Sequence, residues 1–293
     1  MSPKILNLIV MFFTFITLPI LAGGIIRKVR ARAQGRKGPP ILQNLNDIIR
    51  LFQKKPIDGI FSGTYSELAP SFALFASLMV WSIVAFEWTS FILIPFFMVI
   101  QRIALTGYAM ETGTSFGGLG TSREILLSVM SEPIIILIIL VAQSKMSMDF
   151  SWVSVIFGAI FVLATIVVIL AELARPPFDD PRTHLELTMV HEAMLLEASG
   201  RSLALFDSAY QVKIASLIMF ILKLAIEHSK FLYNANVPEY LDNLLAYIGA
   251  LLLVAGIGYW ESICTRRKWN WVPEIMGLTY LFLLILGTLV KLK

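Results

Sequence analysis

Eight apolar segments of roughly twenty residues recur along the chain, and they constrain its fold more than any other feature of the sequence. They cover approximately residues 4–26, 68–88, 90–110, 124–143, 152–173, 208–228, 243–263 and 272–290. A helix of about 20 apolar residues crosses the hydrocarbon core of a bilayer, where the backbone must satisfy its own hydrogen bonds. The sequence therefore predicts an all-α polytopic membrane protein with about eight transmembrane helices, residues 1–293 forming a single membrane domain.

The first apolar segment is expected to be a retained span and not a signal peptide. It is longer than the apolar region of a signal peptide, which has about 7–15 residues. Only Lys4 precedes it, and the basic cluster follows it.

Lysine and arginine are unevenly distributed between the loops. Sixteen of them lie in the loops after the odd-numbered segments, and five lie on the other side. Cytoplasmic loops carry an excess of these residues. We therefore expect the loops at about 27–67, 111–123, 174–207 and 264–271 to be cytoplasmic and both termini to face outward.

The composition excludes several functions. With 15% charged residues and a formal charge of +4, the chain has no strongly basic surface for nucleic acid. An iron–sulfur cluster needs about four thiolates, and Cys264 is the single cysteine. We therefore expect this chain to bind no cofactor, and any redox centre that it serves to lie in a partner subunit.

The segment from Ile169 to Arg201 holds a dense set of polar side chains between two spans. It contains six acids, three arginines and two histidines: Glu172, Asp179, Asp180, Glu186, Glu192, Glu197, Arg175, Arg182, Arg201, His184 and His191. Pro176 and Pro177 are predicted to end the preceding helix. Asp180 and Pro181 are predicted to begin a second helix that runs to about Ser199 and stops at Gly200. On that helix His184 and His191 would share one face, and Glu186 and Glu197 the roughly opposite face.

This pattern favours a proton relay over a metal or catalytic site. The zinc-protease pattern needs a second histidine four residues after the first, and none follows His191 at that distance. No nucleophile stands beside a positioned base. Carboxylates and imidazoles can pass protons when burial moves their pKa values toward neutrality. A solvated, ion-paired docking surface remains an alternative and is compatible with a relay.

Glu132 is an ionisable residue well inside the fourth apolar segment. It lies eight residues into that segment, or about 12 Å along a helix axis. At such a depth a carboxyl group normally faces a partner or a water-filled cavity. The adjacent Pro133 frees a backbone carbonyl that the acid or a water could satisfy. The alternative is a neutral acid that is hydrogen-bonded between helices.

Two further stretches have both a structural and a functional interpretation. Residues 41–53 alternate apolar and polar side chains with helical periodicity, which predicts an amphipathic helix at the membrane interface. It either packs on the bundle or lines a docking surface. The glycine-rich stretch 117–120 suggests a phosphate cradle or tight backbone packing, and the lack of a following Gly-Lys-Ser/Thr pattern favours packing.

The polar segment and the first loop carry the motifs of a known family. The matching residues of the polar segment and its continuation are Glu172, Arg175, Pro177, Phe178, Asp179, Pro181, Glu186, Leu187, Glu197, Ser199, Gly200, Ala204, Leu205 and Phe206. The first loop matches at Leu42, Gln43, Asp47, Arg50 and Leu51, and Arg123 and Glu132 keep the family's spacing of nine. The chain thus resembles the subunit 1 family of respiratory complex I and its hydrogenase relatives.

The differences from that family indicate which branch is most similar. Arg182 and His184 stand where the quinone-reducing members carry two glutamates, and Ala209 replaces a glutamate before Tyr210. The run HLELTMVHEAM at 184–194 is similar to the membrane anchor subunits of nickel–iron hydrogenases, formate hydrogenlyases and related sulfur-reducing complexes. The resemblance therefore supports ion coupling more than quinone binding.

The resemblance implies a coupling subunit in a prokaryotic cell membrane. Its partners would be lipid, other membrane subunits, for which antiporter-like subunits are one candidate, and cytoplasmic hydrogenase-like subunits. The cytoplasmic subunits would carry iron–sulfur clusters and, as one candidate, a nickel–iron site. The predicted proton or ion path comprises Glu111, Glu132, Glu172, Asp179, His184, Glu186, His191, Glu192 and Glu197. The predicted charge partners are Arg123, Arg175 and Arg182, and the predicted docking residues are Gln43, Asp47 and Arg50.

Other functions remain open from the sequence. The chain could be a quinone-binding subunit of an NADH:quinone oxidoreductase or a subunit of a sulfur reductase. From a different class, a secondary transporter would bind its substrate among the carboxylates, although no pair of matching broken segments is present. A pure anchor would dock the partners without moving any ion. The sequence does not distinguish H⁺ from Na⁺.

Overall fold

The computed structural model describes residues 3–57, 63–143, 152–179, 189–233, 238–265 and 267–291. No strand occurs within these residues. The helices are α1 (Pro3–Ala33), α2 (Gln43–Gln53), α3 (Thr64–Phe86), α4 (Ile94–Glu111), α5 (Ser115–Gln143), α6 (Trp152–Glu172), α7 (His191–Met194), α8 (Gly200–Tyr233), α9 (Glu239–Ile263) and α10 (Trp271–Lys291). A short 3-10 turn, Phe91–Leu93, precedes α4.

The predicted all-α membrane architecture is confirmed. Seven of the helices (α1, α3, α4, α5, α8, α9 and α10) are long and apolar enough to cross a membrane. The fifth predicted span, residues 152–173, corresponds to α6, whose described apolar part, Gly158–Glu172, is shorter. The predicted amphipathic helix is α2, which packs against α8.

Several helices extend beyond the apolar segments that predicted them. The first ends at Ala33 and not near residue 26, and Gly35 follows it with a φ of 73° that reverses the chain. The eighth helix begins at Gly200, eight residues before the predicted start at 208. Apolar character marks where a helix meets lipid, whereas backbone hydrogen bonds and caps decide where it ends.

The predicted helix over residues 180–199 is wrong in its described part. Only His191–Met194 is helical there, residues 195–197 form a turn, and Gly200 begins α8 where the sequence predicted a stop. The φ of Gly200 is 50°, and a Cβ on it would approach Lys54 O and Pro56 N to 2.9 Å. Tertiary packing against residues 54–56 therefore uses this glycine at a helix start. Arg182, His184 and Glu186 lie outside the described residues.

The glycine-rich stretch is helical and not a loop. The fifth helix begins at Ser115, so that residues 117–120 belong to its first turns. A Cβ at Gly120 would approach Val190 O to 2.9 Å. The glycine therefore allows a close approach of α5 and the polar segment, which agrees with the packing interpretation.

The bundle is organised around α3, α5 and α8. Helix α3 packs against α4 and α8, α1 packs against α9, and α5 packs against α10 and α6. The core contains Trp81, Ile83 and Phe220, which are fully buried. Large apolar side chains such as Phe13 and Leu252 point outward, as expected for a surface that faces lipid.

Two lysines of α8 have partners that the sequence did not predict. Lys213 lies about one turn inside the end of its predicted span, where a lysine side chain can extend to the surface, but it pairs with Glu172 at 3.1 Å inside the bundle. Lys223 binds Glu87 and also donates to Ala85 O at 3.3 Å. Its spacing of four from Glu227 predicts a pair within α8, and the side chain of Glu227 lies outside the described residues. The contacts with Glu172 and Glu87 reach beyond α8, and spacing within a single helix cannot predict them.

Candidate functional site

The end of α6 directs two charged residues into different surroundings. Arg175 N donates to Leu170 O at 2.9 Å and Ala174 N to Ala171 O at 3.0 Å, the hydrogen-bond pattern of a Schellman motif. Ala174 occupies the left-handed position of that motif with a φ of 46°, which normally favours glycine. As a result, Glu172 faces Arg102 and Lys213, whereas Arg175 faces Glu261 of α9.

Four spans contribute to a cluster of charged side chains around Arg102, which we call the carboxylate cluster. Its members are Arg102 on α4, Glu124 and Glu132 on α5, Glu172 on α6 and Lys213 on α8. The guanidinium of Arg102 donates from Nε to Glu124 at 3.1 Å and from Nη2 to Glu172 at 2.7 Å. Its Nη1 donates to Glu132. Each of the three acids thus binds a different nitrogen of one arginine.

Glu172 is the most enclosed acid of the carboxylate cluster. Its side chain is 0% exposed, whereas that of Glu132 is 22% exposed. Ser131 donates a further hydrogen bond to Glu172, and Lys213 approaches it at 3.1 Å. Glu172 is therefore held in place by three partners, while Glu132 lies toward the more accessible edge of the cluster.

The carboxylate cluster contains one more acid than base. With every group ionised, three carboxylates face Arg102 and Lys213, and the sum of their charges is −1. An unbalanced charge away from water is costly, and the uptake of one proton would remove the imbalance. The arrangement is therefore suited to binding and releasing a single proton.

A second charged group surrounds Glu261 of α9. This carboxylate accepts from Arg175 at 2.5 Å and from Arg30 of α1 at 2.9 Å. The guanidinium of Arg175 lies 5.6 Å from the centre of the Tyr210 ring. Tyr210 donates from its hydroxyl to Leu173 O at 2.8 Å, so that α8 is joined to the loop after α6.

His191 and Asp179 are held by the same part of the fold. Asp179 accepts backbone hydrogen bonds from Val190 at 3.0 Å and from His191 at 3.3 Å. The imidazole of His191 stacks on Tyr210, with ring centres 4.9 Å apart. Burial lowers the pKa of His191 from 6.5 to about 4, so that the ring is neutral at pH 7.

These residues border a cavity of about 790 Å³, which we call the charged chamber. Its walls come from α1, α2, α8, α7 and the loop after α6. Four arginines line it: Arg27, Arg30, Arg36 and Arg175. Four acids also line it: Asp47, Asp179, Glu192 and Asp207. Ile48, Leu195 and Leu203 line it as well, so that the chamber has both charged and apolar walls.

Helix α8 connects the charged chamber with the carboxylate cluster. Tyr210 lines the chamber, and Lys213, three residues later, reaches Glu172. Residues three apart lie on the same side of a helix. The two sites therefore share one turn of α8, and the short loop from Glu172 to Arg175 joins them a second time.

The structure separates the predicted path residues into groups. Glu132 and Glu172 lie in the carboxylate cluster, while Asp179, His191 and Glu192 line the charged chamber. Glu111 lies apart, where it accepts a hydrogen bond from Ser66 at the start of α3. Glu197 is exposed outside both sites.

The predicted charge partners and docking residues make different kinds of contact. Arg175 pairs with Glu261, which is not one of the predicted path acids. Arg123 instead donates to Met189 O at 3.3 Å and lies 6.0 Å from the Trp269 ring. On α2, Gln43 donates to Asp47 at 2.7 Å, Asp47 also faces Arg27 of α1 at 3.7 Å, and Arg50 is exposed.

Sequence reasoning missed several members of the two sites. Arg102, Glu124 and Lys213 complete the carboxylate cluster, and Glu261 joins two arginines. One signal was available, because Arg102 is the single charged residue in an otherwise apolar run. Which acid it would meet depended on the packing of four helices.

The site contains no recognisable metal centre in the described part of the chain. No three histidine, cysteine, aspartate or glutamate side chains among those residues are grouped to hold a metal ion. The absence of a cofactor remains a prediction from the sequence.

Comparison with known proteins identifies the family. The model of the family NADHdh, NADH dehydrogenase, matches residues 5–290. Hydrogenase-4 component C of Escherichia coli is 31% identical over 221 residues, which cover 67% of this chain and 68% of the relative. Formate hydrogenlyase subunit 4 of Escherichia coli is 29% identical over 131 residues, which is 42% of each chain. This chain therefore aligns with less than half of that second relative.

A solved structure has the same fold. A chain of the membrane-bound sulfane sulfur reductase, an archaeal respiratory membrane complex, superposes with a TM-score of 0.70 and 16% identity. The match covers 99% of this chain and 100% of that chain. The resemblance to the complex I subunit 1 family is confirmed, and the chain belongs to the NADH dehydrogenase family.

Proposed function

We propose that this chain is the membrane anchor and coupling subunit of a redox-driven complex that moves protons or sodium ions. Electron transfer would take place in docked partner subunits, and the chain would convert it into ion movement. The single observation that carries this proposal is the carboxylate cluster, in which three acids and two bases meet between four spans.

The cluster has features that a purely structural ion pair does not need. A buried ion pair is a weak source of stability, because the loss of hydration offsets the attraction. Ionisable groups inside a membrane bundle are typical of ion pathways. Because the ionised cluster has a net charge of −1, it can exist in two states, one with a proton bound and one without.

Glu132 is proposed as the acid that gains and loses the proton. Among the described contacts it has one ion-pair partner, Arg102, whereas Glu172 has Arg102, Lys213 and Ser131. Glu132 is also the more exposed of the two. A shift of Arg102 away from Glu132 would raise the proton affinity of that carboxyl group, and its return would expel the proton.

The charged chamber is proposed as the source of the protons. Tyr210 and Arg175 border the chamber. Lys213 follows Tyr210 by three residues on α8, Glu172 precedes Arg175 by three residues at the end of α6, and these two side chains pair. A redox event in a partner docked at α2 and the polar segment would displace these residues and change the contacts of Glu172. The predicted docking residues Gln43, Asp47 and Arg50 lie on that side of the protein.

The expected setting follows from the family and the charge distribution. The relatives are named as components of a hydrogenase and of formate hydrogenlyase, and the solved chain belongs to a sulfur reductase complex. We propose hydrogenase-like partners with iron–sulfur clusters in a prokaryotic cell membrane. From the excess of basic residues in the odd-numbered loops, we propose that the chamber lies on the cytoplasmic side and that both termini face outward.

The test is Glu132→Gln in the intact complex reconstituted in vesicles. The amide keeps the size of the side chain but holds it permanently neutral, as in the protonated state. We expect the ions moved per electron to fall to background, while electron transfer in the partner subunits, measured with a soluble dye, continues.

Glu274→Gln is the matched control, because Glu274 is exposed at the start of α10. It makes the same chemical change outside the cluster and should leave the ratio of ions to electrons unchanged. Normal ion movement in Glu132→Gln would exclude this acid from the pathway. Ion movement by purified chain without partners would instead favour a secondary transporter.

A further inference from the structure

Helix α2 presents polar side chains to the protein and apolar side chains to its surroundings. Asn44 and Asp47 line the charged chamber. On a different side, Leu42 just before the helix and Ile49 and Phe52 on it are 48%, 47% and 47% exposed, and we call these three residues the apolar edge. A helix that packs on a protein surface in water buries its apolar face instead. The apolar edge therefore requires an apolar environment outside this chain.

The start of α2 lies at the level where α1 leaves the membrane. A Cβ on Gly24 would overlap the carbonyl oxygen of Ile41, so that the chain before α2 touches the α1 backbone at this point. The apolar run of α1 ends near residue 26, two residues further along the helix. Since Leu42 follows Ile41 directly, the apolar edge begins at the boundary of the hydrocarbon core.

The other end of α2 is fastened to the start of α8. Ser199 Oγ donates to Ile57 O at 3.1 Å and accepts from Ile57 N at 2.8 Å. A Cβ on Gly200 would approach Lys54 O to 2.9 Å. Helix α8 becomes apolar from Leu203 onward. Both ends of α2 thus lie where a spanning helix meets the membrane surface, so that α2 runs along the interface.

The contact at Gly200 also gathers basic side chains at the end of α2. Lys54 and Lys55 follow the helix directly, Arg201 follows Gly200, and all three side chains are exposed. We call these three residues the basic group. Within the described residues 54–57 and 195–203, Glu197 is the single acid, so that three positive charges and one negative charge leave a net charge of +2. An apolar edge thus ends in a cationic group at the depth of the lipid headgroups.

We propose that α2 binds an anionic phospholipid. The basic group holds the phosphate of the headgroup, and the acyl chains lie along the apolar edge. Each basic side chain near an anionic membrane surface strengthens binding by about fivefold. A zwitterionic phospholipid offers the same chains, but its own cationic group cancels the charge of its phosphate. The opposite side of α2 carries Asn44 and Asp47, so that the bound lipid also holds this wall of the charged chamber in place.

Hydrogen exchange of the α2 amides in the intact complex tests the proposal. The complex is placed in nanodiscs of phosphatidylcholine alone, or of phosphatidylcholine mixed with phosphatidylglycerol that has the same acyl chains. We expect exchange at residues 43–53 to slow several-fold in the mixed discs. The difference should disappear in about 1 M salt, where charges are screened beyond about 3 Å. Inorganic phosphate added to phosphatidylcholine discs should not reproduce the protection, because it has no acyl chains.

Lys54→Gln combined with Lys55→Gln removes two charges of the basic group. Phosphatidylglycerol is titrated into the detergent-solubilised complex, and its concentration at half-maximal protection of α2 should rise by about 25-fold. Arg267→Gln combined with Lys268→Gln is the matched control. It removes two exposed charges from the loop after α9, on the side of the membrane where α1 also ends. The control should titrate as the native complex does.

The apolar edge is tested separately from the charge. Phe52→Gln changes an exposed side chain and should reduce the protection of α2 in both kinds of disc, because the amide is poorly accommodated among acyl chains. Asn46→Ala is its control, since Asn46 is exposed on the polar side of α2. It should leave the exchange rates unchanged.

Three outcomes would overturn the proposal. The first is equal protection of α2 in the two kinds of disc. The second is a loss of the lipid effect in Arg267→Gln with Lys268→Gln as large as that in the Lys54 and Lys55 variant, which would assign the effect to general surface charge. The third is a photoreactive group at Ile49 that cross-links to a neighbouring subunit and not to phospholipid. None of these measurements involves ion movement, so their result is independent of the outcome for Glu132→Gln.

Discussion

Replacing Arg102 by glutamine would remove the shared partner of three acids. In the native cluster Arg102 binds Glu124, Glu132 and Glu172, and Lys213 reaches one of them. Glutamine has a shorter, neutral side chain. The ionised cluster would then carry three negative charges against one positive charge, and the imbalance would increase from −1 to −2.

The cost can be worked from one additional proton. The variant can restore the native charge by folding with one more carboxyl group protonated. The pKa of an ordinary glutamate is about 4.3, so holding one proton on such a side chain at pH 7 costs about 4 kcal/mol. This agrees with the about 3–5 kcal/mol that is typical when one member of a buried ion pair is removed.

The loss should therefore depend on pH in a defined direction. The folded variant binds more protons than its unfolded state, so its stability decreases as pH rises, by about 1.4 kcal/mol per unit. At pH 5 the deficit relative to the native protein should be about 1 kcal/mol.

The assay is thermal unfolding of the purified complex, followed by tryptophan fluorescence between pH 5 and 8. We expect Arg102→Gln to melt on the order of 5–10 °C lower at pH 7 and to approach the native value at pH 5. Arg123→Gln is the control, because Arg123 contacts a carbonyl and an aromatic ring and binds no carboxylate in the described contacts. A deficit for Arg102→Gln that is equal at pH 5 and pH 8 would refute the charge argument.

Two further substitutions test the groups around the charged chamber. Glu261→Gln leaves Arg30 and Arg175 without their shared carboxylate. It should destabilise the protein by about 3 kcal/mol, with little change between pH 6 and 8 because arginine stays charged; native-like melting would contradict this. His191 has its pKa lowered from 6.5 to about 4, so native stability should fall by up to about 1.4 kcal/mol per unit as pH drops through that range. His191→Phe should flatten this slope in the same melting series, and an unchanged slope would assign it to other groups.

For the carboxylate cluster, the sequence predicted that Glu132 has a partner or an aqueous cavity but did not identify the partner. The depth of Glu132 in an apolar run was enough to predict a partner or an aqueous cavity. The partner, Arg102, lies thirty positions earlier in the chain and also binds Glu124 and Glu172. These contacts depend on how four helices rotate and pack against one another, whereas the periodicity of each helix determines only which residues share its faces.

The polar segment illustrates where local rules fail. A cap, a proline at the first position and a glycine at the end predicted one helix up to Ser199. In the described part, Gly200 instead begins α8, because a glycine fits against the backbone at Lys54 and Pro56. Turn and cap preferences are weak energies, and close tertiary contacts override them.

The sequence by itself determined that this chain crosses a membrane as an all-α bundle, because long apolar runs leave the backbone no other way to satisfy its hydrogen bonds in lipid. It also identified the polar segment and the acid at depth, since charge is costly there. Only the tertiary structure decided that Arg102 joins three acids, that Glu261 joins Arg30 and Arg175, and that the charged chamber lies beside them. These contacts connect residues far apart in the chain, and electrostatic energy depends on distance in space and on burial, which the linear order does not contain.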